Sequence, residues 1–595
     1  MISEQGEQVV DITVEICGSA GDGSIAVGQI LNLAMTLVGY HVMNFDSYPA
    51  EIRGFGKSVA HTRMSSEPLF LTGNKVDCLV ALNDPHAIAS LGALKADGVI
   101  IYDSKPMDYV EEDQAIAGFV EPGMVGYGVP LGELSILAVN SAKSRNIVAL
   151  GAMAGIFRIP AEPFRQAIGK RFGRKNSLMV ANNIRAFDLG YTFGSEELEK
   201  ADRIDFGQRT YPPVAGTVIV SGNEAVGRAC LDAKIKLFAG YPITPATRIM
   251  EMLARELPKQ GGAVVQTEDE ISAIGHVLGA GFAGERSATA TSGPGLCLMV
   301  EMLNLAVMAE VPLVLLDSQR AGPSTGMPTK TEQSDLNLAI YGGAGDSPRP
   351  VLAPANVREC YELTRLAFDL AEGLQTPVIV LLDFFLSNRM EDVAWQHLDP
   401  ARFGVFPRKL AEPGATDYQR YAASASGVSP LALPGMEGMF YMASGLEHNS
   451  HGFPDYTAAN HQRMSAKRQM KMETLLAAWS PPEVVGEGEL EVGIFSWGSS
   501  IGSAQEAITL LNARGIKAGG CFPRLMWPLA SAELRAFASR CQHLLVVEMN
   551  VSGQFANLVE LAVQRDLCRL SRVYAAPFPS AEIVAAGQKL AARQG

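Results

Sequence analysis

Three consecutive acidic residues follow an apolar strand pattern and open a helix pattern in the segment AVVQTEDEISAIGHVLGAGFAG (residues 263–284). Acidic side chains at a helix start commonly do no more than stabilise the helix dipole. A carboxylate at a strand–helix junction before a glycine-rich helix is also what thiamine diphosphate needs at its aminopyrimidine ring. The cofactor supplies the carbanion chemistry, and the protein supplies one carboxylate that controls a proton on the aminopyrimidine ring. The spacing of Glu270 to Gly279 suits this role best.

A second chemical signal lies in the segment FAGYPITPATRIMEML (residues 238–253). Pro242 and Pro245 stiffen the backbone just before a helix pattern, and Thr244 and Thr247 place hydroxyl groups at the helix start. A helix N-terminus offers free N–H groups and partial positive charge, so it can bind a carboxylate. An ordinary capped helix start is the alternative interpretation.

A glycine turn and a polar loop follow further along the chain. The turn Ser292–Gly293–Pro294–Gly295 brings bare backbone close to any ligand and precedes another helix pattern. The loop between Arg320 and Asp335 is polar and contains glycine, and Arg320 could clamp a carboxylate in a two-pronged contact. A solvated surface loop is the alternative.

A glycine turn near the N-terminus, CGSAGDGS (residues 17–24), lies between a strand pattern and a helix pattern. Such turns can bind phosphates. The spacing is GxxGxG, which differs from the dinucleotide fingerprint GxGxxG and gives an NAD site little support. The GDG triplet also resembles a thiamine pyrophosphate motif, but the paired asparagines expected later in that motif are missing around Asn44. A tight turn without a ligand remains open.

These candidate residues belong to three regions of alternating strand and helix patterns. Residues 9–190, 216–395 and 488–595 carry strand patterns separated by helix patterns, which predicts α/β domains, and the Val- and Ile-rich strands of residues 216–395 predict a parallel sheet. A charged segment, residues 191–215, is predicted as a linker, and residues 396–487 as an irregular connecting segment.

Composition narrows the functional classes. The net charge of −14 disfavours nucleic acid as a partner, and no apolar run predicts a membrane span. The N-terminus lacks a signal-peptide pattern, and the eight cysteines contain no CxxC pair. We therefore expect a cytoplasmic protein that builds no metal or iron–sulfur site by itself.

The segments YPITPAT, TEDEISAIG, TATSGPG and RAGPSTGMPTKTEQSDL occur in this order over about 100 residues. Together they resemble the pyrimidine-binding domain of the 2-oxoacid:ferredoxin oxidoreductase family. Residues 9–190 resemble the gamma domain of that family, fused in front of the alpha domain. Residues 488–595, with VVEMNVSGQF, resemble its transketolase C-terminal-like domain.

The resemblance implies roles for individual residues. Thr244 would contact the 2-oxoacid carboxylate, Glu270 the aminopyrimidine, and Arg320 the substrate carboxylate, and these three residues would be catalytic. The GPSTG-type loop resembles chains that act on 2-oxoglutarate or on several 2-oxoacids. The implied contacts are Thr244, Arg320, Lys330, Ser324 and Thr325 for the substrate; Tyr241, Pro242, Ile243, Glu270, Ser292 and Gly293 for the cofactor; and Gly18, Gly21, Gly23 and Arg53 for coenzyme A.

The resemblance also implies a reaction and partners. The expected reaction is the reversible, ferredoxin-linked oxidative decarboxylation of 2-oxoglutarate to succinyl-CoA, with coenzyme A as co-substrate. A beta subunit would carry the [4Fe-4S] cluster and the diphosphate and Mg²⁺ site, and two alpha–beta pairs would form a heterotetramer. The alternatives are a pyruvate or broad-specificity enzyme, a non-redox thiamine-dependent component such as a transketolase-type subunit, and a regulatory subunit that binds no cofactor.

Overall fold

The computed structural model describes residues 10–47, 56–73, 75–106, 114–173, 176–207, 216–414 and 417–593. The chain divides into two compact units. The first unit comprises Met1–Val220 and Arg389–His397, and the second comprises Ser221–Asn388 and Leu398–Gly595. None of the helices in the described ranges is long and apolar enough to cross a bilayer.

The elements of the first 221 residues are β1 (Asp11–Ser19), α1 (Ser24–Val38), β2 (His41–Asn44), β3 (Lys57–Ser65), β4 (Val76–Ala81), α2 (Asp84–Ile88), β5 (Leu94–Asp103), β6 (Val125–Val129), α3 (Leu131–Val139), α4 (Arg145–Ile156), α5 (Ala161–Phe172), α6 (Ser177–Thr192) and β7 (Thr217–Ser221). The glycine turn before α1 depends on glycine, because Gly21 and Gly23 have φ values of 111° and 79°.

The middle of the chain contains α7 (Gly222–Asp232), β8 (Leu237–Gly240), α8 (Thr247–Glu256), β9 (Ala263–Gln266), α9 (Glu270–Phe282), β10 (Ser287–Thr291), α10 (Gly293–Met308), β11 (Leu313–Gln319), α11 (Leu336–Tyr341), β12 (Val351–Leu352), α12 (Val357–Leu374), β13 (Pro377–Asp383), α13 (Phe384–Asn388) and β14 (Met390–Ala394).

The last part of the chain contains α14 (Ala458–Ala478), β15 (Glu483–Val485), β16 (Leu490–Ser496), α15 (Ser500–Ala513), β17 (Ala518–Phe522), β18 (Leu525–Trp527), α16 (Ser531–Ala538), β19 (Cys541–Glu548), α17 (Gln554–Val563), β20 (Cys568–Ser571) and α18 (Ser580–Ala591). The alternation of strands and helices in all three parts confirms the predicted α/β class.

The first unit is built on a mixed sheet, whose strands in the described residues have the order β6-β5-β4-β1-β3-β2-β14-β7. β1 pairs parallel with β4 and antiparallel with β3. β14 was predicted to lie within the 216–395 domain, but it pairs antiparallel with β2, and His41 contacts Asp392 at 2.9 Å. Residues 191–215 are predicted as a linker, but Phe206 within this range is fully buried in the core of the first unit.

The second unit contains two sheets. Strands in the order β18-β12-β13-β11-β10-β8-β9 form one sheet, and β15-β17-β16-β19-β20 form the other. β11 and β13 are buried along their full length and pair parallel, as expected from their continuous apolar runs. β18 joins the sheet of the middle region through antiparallel pairing with β12, so the last two regions share a sheet.

Candidate active site

The loop between β8 and α8 brings Thr244 to the carboxyl end of a parallel sheet. The peptide bond between Thr244 and Pro245 is cis, and the carbonyl oxygen of Pro245 accepts a 3.1 Å hydrogen bond from the side-chain amide of Asn223. Thr244 is exposed, and the Tyr241 side chain nearby is 42% exposed. Pro242 and Ile243 are half-buried between them. The loop therefore presents Thr244 at the surface of this chain.

Glu270 is the first residue of α9. Asp269 caps this helix, because its carboxylate accepts a 2.7 Å hydrogen bond from the backbone N–H of Ser272. Glu270 therefore takes no part in capping the helix. The residue is 6% exposed, and no group in the described part of the chain donates a hydrogen bond to its carboxylate. A buried carboxylate is costly without a donor, so this side chain is suited to a donor from a ligand.

The Ser292–Gly295 turn lies directly against Glu270. A Cβ atom at Gly295 would lie 2.7 Å from Oε1 of Glu270 and 2.0 Å from Oγ1 of Thr291, so no side chain fits at this position. The hydroxyl group of Ser292 is buried and makes no hydrogen bond within the described residues. The unpaired hydroxyl, the unpaired carboxylate and the bare glycine backbone together fit a polar aromatic ring such as an aminopyrimidine.

Arg320 directly follows β11 and contacts the loop that contains Thr244. Its Nη1 atom donates a 2.9 Å hydrogen bond to the carbonyl oxygen of Thr244. The side chain is 8% exposed, and its Nε atom is buried without a partner in the described residues. Burial lowers the pKa of Arg320, and the nearby charges of Asp335 and Glu270 oppose that effect. The structure therefore brings Thr244, Glu270 and Arg320 to one place.

Asp317 and Asp335 form a carboxyl pair that the sequence analysis missed. Burial and the adjacent Asp335 raise the pKa of Asp317 well above its ordinary value. Burial and the charge of Glu332 raise the pKa of Asp335 to about 7. The Asp335 carboxylate also lies against Gly293. We infer that the pair retains a proton at neutral pH, because two adjacent buried carboxylates cannot both ionise cheaply. An acidic residue inside the apolar run LVLLDSQ was the available signal.

The loop after Arg320 folds back on itself. The backbone N–H of Met327 donates a 2.8 Å hydrogen bond to the carbonyl oxygen of Ala321, and the N–H of Ala321 donates a 3.0 Å bond to that of Lys330. Ser324, Thr325 and Lys330 were predicted to contact the substrate, and all three are exposed in this chain. Their predicted contacts with the substrate remain predictions.

The predicted coenzyme A residues belong to the first unit. Gly18 lies near the end of β1, and Gly21 and Gly23 form the turn into α1, where the carboxylate of Asp22 accepts a 2.7 Å hydrogen bond from the backbone N–H of Ser19. Arg53 lies outside the described residues. The glycine turn exists as expected, and its ligand remains a prediction.

Three protein families match successive parts of the chain. The family described as "Pyruvate ferredoxin/flavodoxin oxidoreductase" matches residues 13–193. "Pyruvate flavodoxin/ferredoxin oxidoreductase, thiamine diP-bdg" matches residues 228–467, and thus extends into the segment predicted as an irregular connector. "Pyruvate:ferredoxin oxidoreductase core domain II" matches residues 491–576.

Two relatives show a match over nearly the whole length of this chain. The "2-oxoacid:ferredoxin oxidoreductase 2, subunit alpha" of Aeropyrum pernix is 30% identical over 93% of this chain and 93% of its own length. The "2-oxoglutarate oxidoreductase subunit KorA" of Mycobacterium tuberculosis is 30% identical over 97% of this chain and 91% of its own.

A solved structure has the same fold over nearly the whole chain. The 2-oxoglutarate:ferredoxin oxidoreductase from Magnetococcus marinus, with 2-oxoglutarate, coenzyme A and succinyl-CoA bound, superposes with a TM-score of 0.91 at 37% identity. The match covers 98% of this chain and 99% of that one.

Proposed function

The chain belongs to the 2-oxoacid:ferredoxin oxidoreductase family, and we propose that it is the alpha subunit, with a fused gamma domain, of a 2-oxoglutarate:ferredoxin oxidoreductase. The family resemblance drawn from the four sequence segments is thereby confirmed. The proposed reaction interconverts 2-oxoglutarate, coenzyme A and oxidised ferredoxin with succinyl-CoA, carbon dioxide and reduced ferredoxin. The Magnetococcus marinus enzyme, whose bound molecules are 2-oxoglutarate, coenzyme A and succinyl-CoA, supports the choice of substrate.

The observation that carries the proposal is the meeting of Arg320, Thr244 and Glu270. Arg320 holds the Thr244 carbonyl with Nη1 and leaves the edge formed by Nε and Nη2 unbonded within the described residues. That edge presents two parallel N–H donors, which suits a substrate carboxylate. Thr244 adds an exposed hydroxyl beside it. These groups would orient the 2-oxoacid by its carboxylate.

Each residue proposed to bind the cofactor would have a separate role. Thiamine diphosphate, when bound, supplies a carbanion that can attack a 2-oxoacid carbonyl. Glu270 would hold a proton on the pyrimidine ring nitrogen, and the Ser292 hydroxyl and Gly293 backbone would line the ring. Tyr241, Pro242 and Ile243 would form the wall next to Thr244. Glu270 is 6% exposed, so little of the residue meets solvent in this chain.

A partner subunit would complete the site. The start of α9 is flanked by exposed apolar residues in this chain: Ile271 is 47% exposed, and Leu298 on α10 is 50% exposed. Gly275 and Gly279 leave open space along the same helix. An apolar, small-residue surface beside an incomplete polar site fits a subunit interface. We assign the diphosphate and Mg²⁺ site and the [4Fe-4S] cluster to that beta subunit, in an (alpha–beta)₂ heterotetramer.

The decisive experiment is reconstitution with the beta subunit. The co-purified complex should be brown from its iron–sulfur cluster and should reduce ferredoxin when given 2-oxoglutarate and coenzyme A together. We expect kcat/KM for 2-oxoglutarate to exceed that for pyruvate. Pyruvate turnover of equal efficiency would replace the substrate assignment with a broad-specificity one. Turnover without an iron–sulfur partner would favour a non-redox thiamine enzyme instead.

A further inference from the structure

The strand order of the sheet in the last region creates a crevice at the carboxyl ends of β16 and β19. The chain passes from β16 to β17 on one side, and then returns to β19 on the other side of β16. Both neighbours pair parallel with β16, so the chain reverses its direction of travel across the sheet between β16 and β19. In open α/β sheets the crevice at the carboxyl ends of such a pair is where ligands bind.

In this chain that crevice contains the side chain of Gln333. Its amide nitrogen donates a 3.0 Å hydrogen bond to the carbonyl oxygen of Trp497, just after β16. Its amide oxygen accepts hydrogen bonds of 2.7 Å from the Ser500 hydroxyl and 3.1 Å from the backbone N–H of Met549, just after β19. Gln333 is fully buried. Gln333 therefore occupies donors and acceptors at the ends of β16 and β19 that a ligand could use.

The backbone of the same segment is held as firmly. The N–H of Gln333 donates a 2.8 Å hydrogen bond to the carbonyl oxygen of Met549, and the carbonyl of Gln333 accepts a 3.0 Å bond from the Asn550 side chain. One residue further, the carbonyl oxygen of Ser334 accepts a 2.7 Å bond from the Gln554 amide. A buried network with this many hydrogen bonds favours one conformation of the segment.

The anchored segment ends next to the candidate active site. The backbone N–H of Asp335 donates a 3.0 Å hydrogen bond to the Gln319 side chain, and Gln319 directly precedes Arg320. The loop that begins at Arg320 is thus tied at its far end to the last region and, through Gln319, to its own beginning. A loop whose two ends are fixed in this way holds its first side chain in a defined position.

We propose that Gln333 is a positioning residue, which occupies the ligand crevice of the last region and anchors the Arg320–Asp335 loop for recognition of a dicarboxylic 2-oxoacid. The last region then serves as the anchor of the loop and binds no ligand in that crevice. The selectivity part of this inference rests on the proposed function, whereas the anchoring part concerns the chain alone.

Amide hydrogen exchange on the purified chain tests the anchoring without any assay of activity. We compare the wild type with Gln333→Leu, which keeps the bulk of the side chain and removes its hydrogen bonds. The amides of residues 321–334 should exchange about tenfold faster or more, while those of β10 and β13 keep their wild-type rates. Ser500→Ala, which removes one 2.7 Å hydrogen bond, should show a smaller effect at the same amides.

The matched control is Ser503→Ala. Ser503 is equally buried, lies on the same helix as Ser500, and donates a 2.8 Å hydrogen bond to the carbonyl oxygen of Phe578, away from Gln333. It should leave exchange in 321–334 unchanged. If Gln333→Leu does not fold, Ser500→Ala decides the question. Wild-type exchange of the loop in Ser500→Ala, or in a folded Gln333→Leu, would overturn the anchoring.

Steady-state kinetics of the alpha–beta complex test the selectivity. Gln333→Leu or Ser500→Ala should raise KM for 2-oxoglutarate, by about tenfold for the former, and reduce the preference for 2-oxoglutarate over pyruvate, with an unchanged KM for coenzyme A. A merely structural role would lower the amount of active enzyme and leave KM and the preference as they are, which would refute the positioning role. A wild-type complex inactive on 2-oxoglutarate would refute the proposed function, and the exchange result would still stand.

Discussion

The side chain of Arg320 is hydrogen-bonded to the carbonyl oxygen of Thr244 at 2.9 Å, across 76 residues of sequence. This contact links the residues after β8 to those after β11, at one edge of the sheet of the middle region. It uses one nitrogen of the guanidinium group and leaves Nε without a partner in the described residues. Under the proposed function, the edge formed by Nε and Nη2 would receive the substrate carboxylate, and the site would depend on arginine geometry as well as on positive charge.

Replacement of Arg320 by lysine should keep the charge and lose that geometry. An ammonium group cannot hold the Thr244 carbonyl and present a two-pronged edge at the same time. We expect KM for the 2-oxoacid to rise about tenfold or more, with KM for coenzyme A unchanged. Initial-rate measurements of ferredoxin reduction check this. Arg255→Lys, at a residue that is exposed and paired with Glu256, is the control and should behave as wild type.

Replacement of Glu270 by glutamine tests the cofactor role. The carboxylate receives no hydrogen bond from the described residues, so its loss should leave the free energy of unfolding within about 1 kcal/mol of wild type. Turnover should fall about 100-fold or more, because the amide cannot hold a proton on the pyrimidine ring. Urea denaturation and ferredoxin reduction measure the two quantities. Glu268→Gln, at an exposed neighbour, is the control. Full activity in Glu270→Gln would support the regulatory-subunit alternative.

Much of the fold follows from local patterns. The runs LVLLDSQ and PVIVLLD predict buried parallel strands, and both are fully buried strands in the structure. Glu270 could be singled out because a strand pattern, acidic residues and a glycine-rich helix pattern are adjacent in the chain. By contrast, β14 joins β2 through pairs such as Met390 with Asn44, which no local pattern encodes.

The polar contacts between distant segments were also beyond the reach of the sequence. Asp317 lies in β11 and Asp335 lies at the end of the following loop, and their meeting depends on how the loop packs against the strand. Gln333 lies in the same loop, and its partners Trp497 and Met549 lie more than 150 residues further along the chain. Loop chemistry of this kind is set by tertiary packing and not by periodicity.

The exposed face of α9 makes a separate prediction about the beta subunit. Gly279→Leu fills open space on this face, so the lone chain should be as stable as wild type, or more stable by up to about 1 kcal/mol from helix propensity. The affinity for the beta subunit should fall at least about tenfold, because the leucine occupies the interface. Thermal unfolding and titration calorimetry measure these effects. Gly169→Leu on α5, where space is also open, is the matched control. Unchanged beta-subunit affinity would place the interface elsewhere.

A buried carboxylate with three cationic neighbours stabilises the second unit. Glu310 is fully buried, and Nζ of Lys467 and of Lys471 lie 2.5 and 2.9 Å from its carboxylate, with Arg420 at 3.8 Å. Glu310→Gln would leave these cations buried without an anion, so the free energy of unfolding should fall by about 3–5 kcal/mol. Urea denaturation measures this loss. Glu301→Gln, at an exposed residue of α10, should have no comparable effect. A loss below about 1 kcal/mol would show that the cluster contributes little.

The Asp317–Asp335 pair predicts a pH dependence of opposite sign to that of an ordinary ion pair. The pKa of Asp335 is raised to about 7, so the folded state binds more protons than the unfolded state between the ordinary aspartate pKa of about 4 and pH 7. The contribution of the pair to stability is therefore greatest at low pH and is lost as the pH rises through about 7.

Asp335→Asn removes this linked proton and should be measured across that range. Relative to wild type, the variant should gain stability as the pH rises from 5 to 7, by at most about 1.4 kcal/mol for each pH unit. Urea denaturation at several pH values gives the difference directly. Asp346→Asn, at an exposed aspartate, is the control and should give a difference that does not vary over this range. A pH-independent difference for Asp335→Asn would mean that the two carboxyl groups do not share a proton in the folded chain.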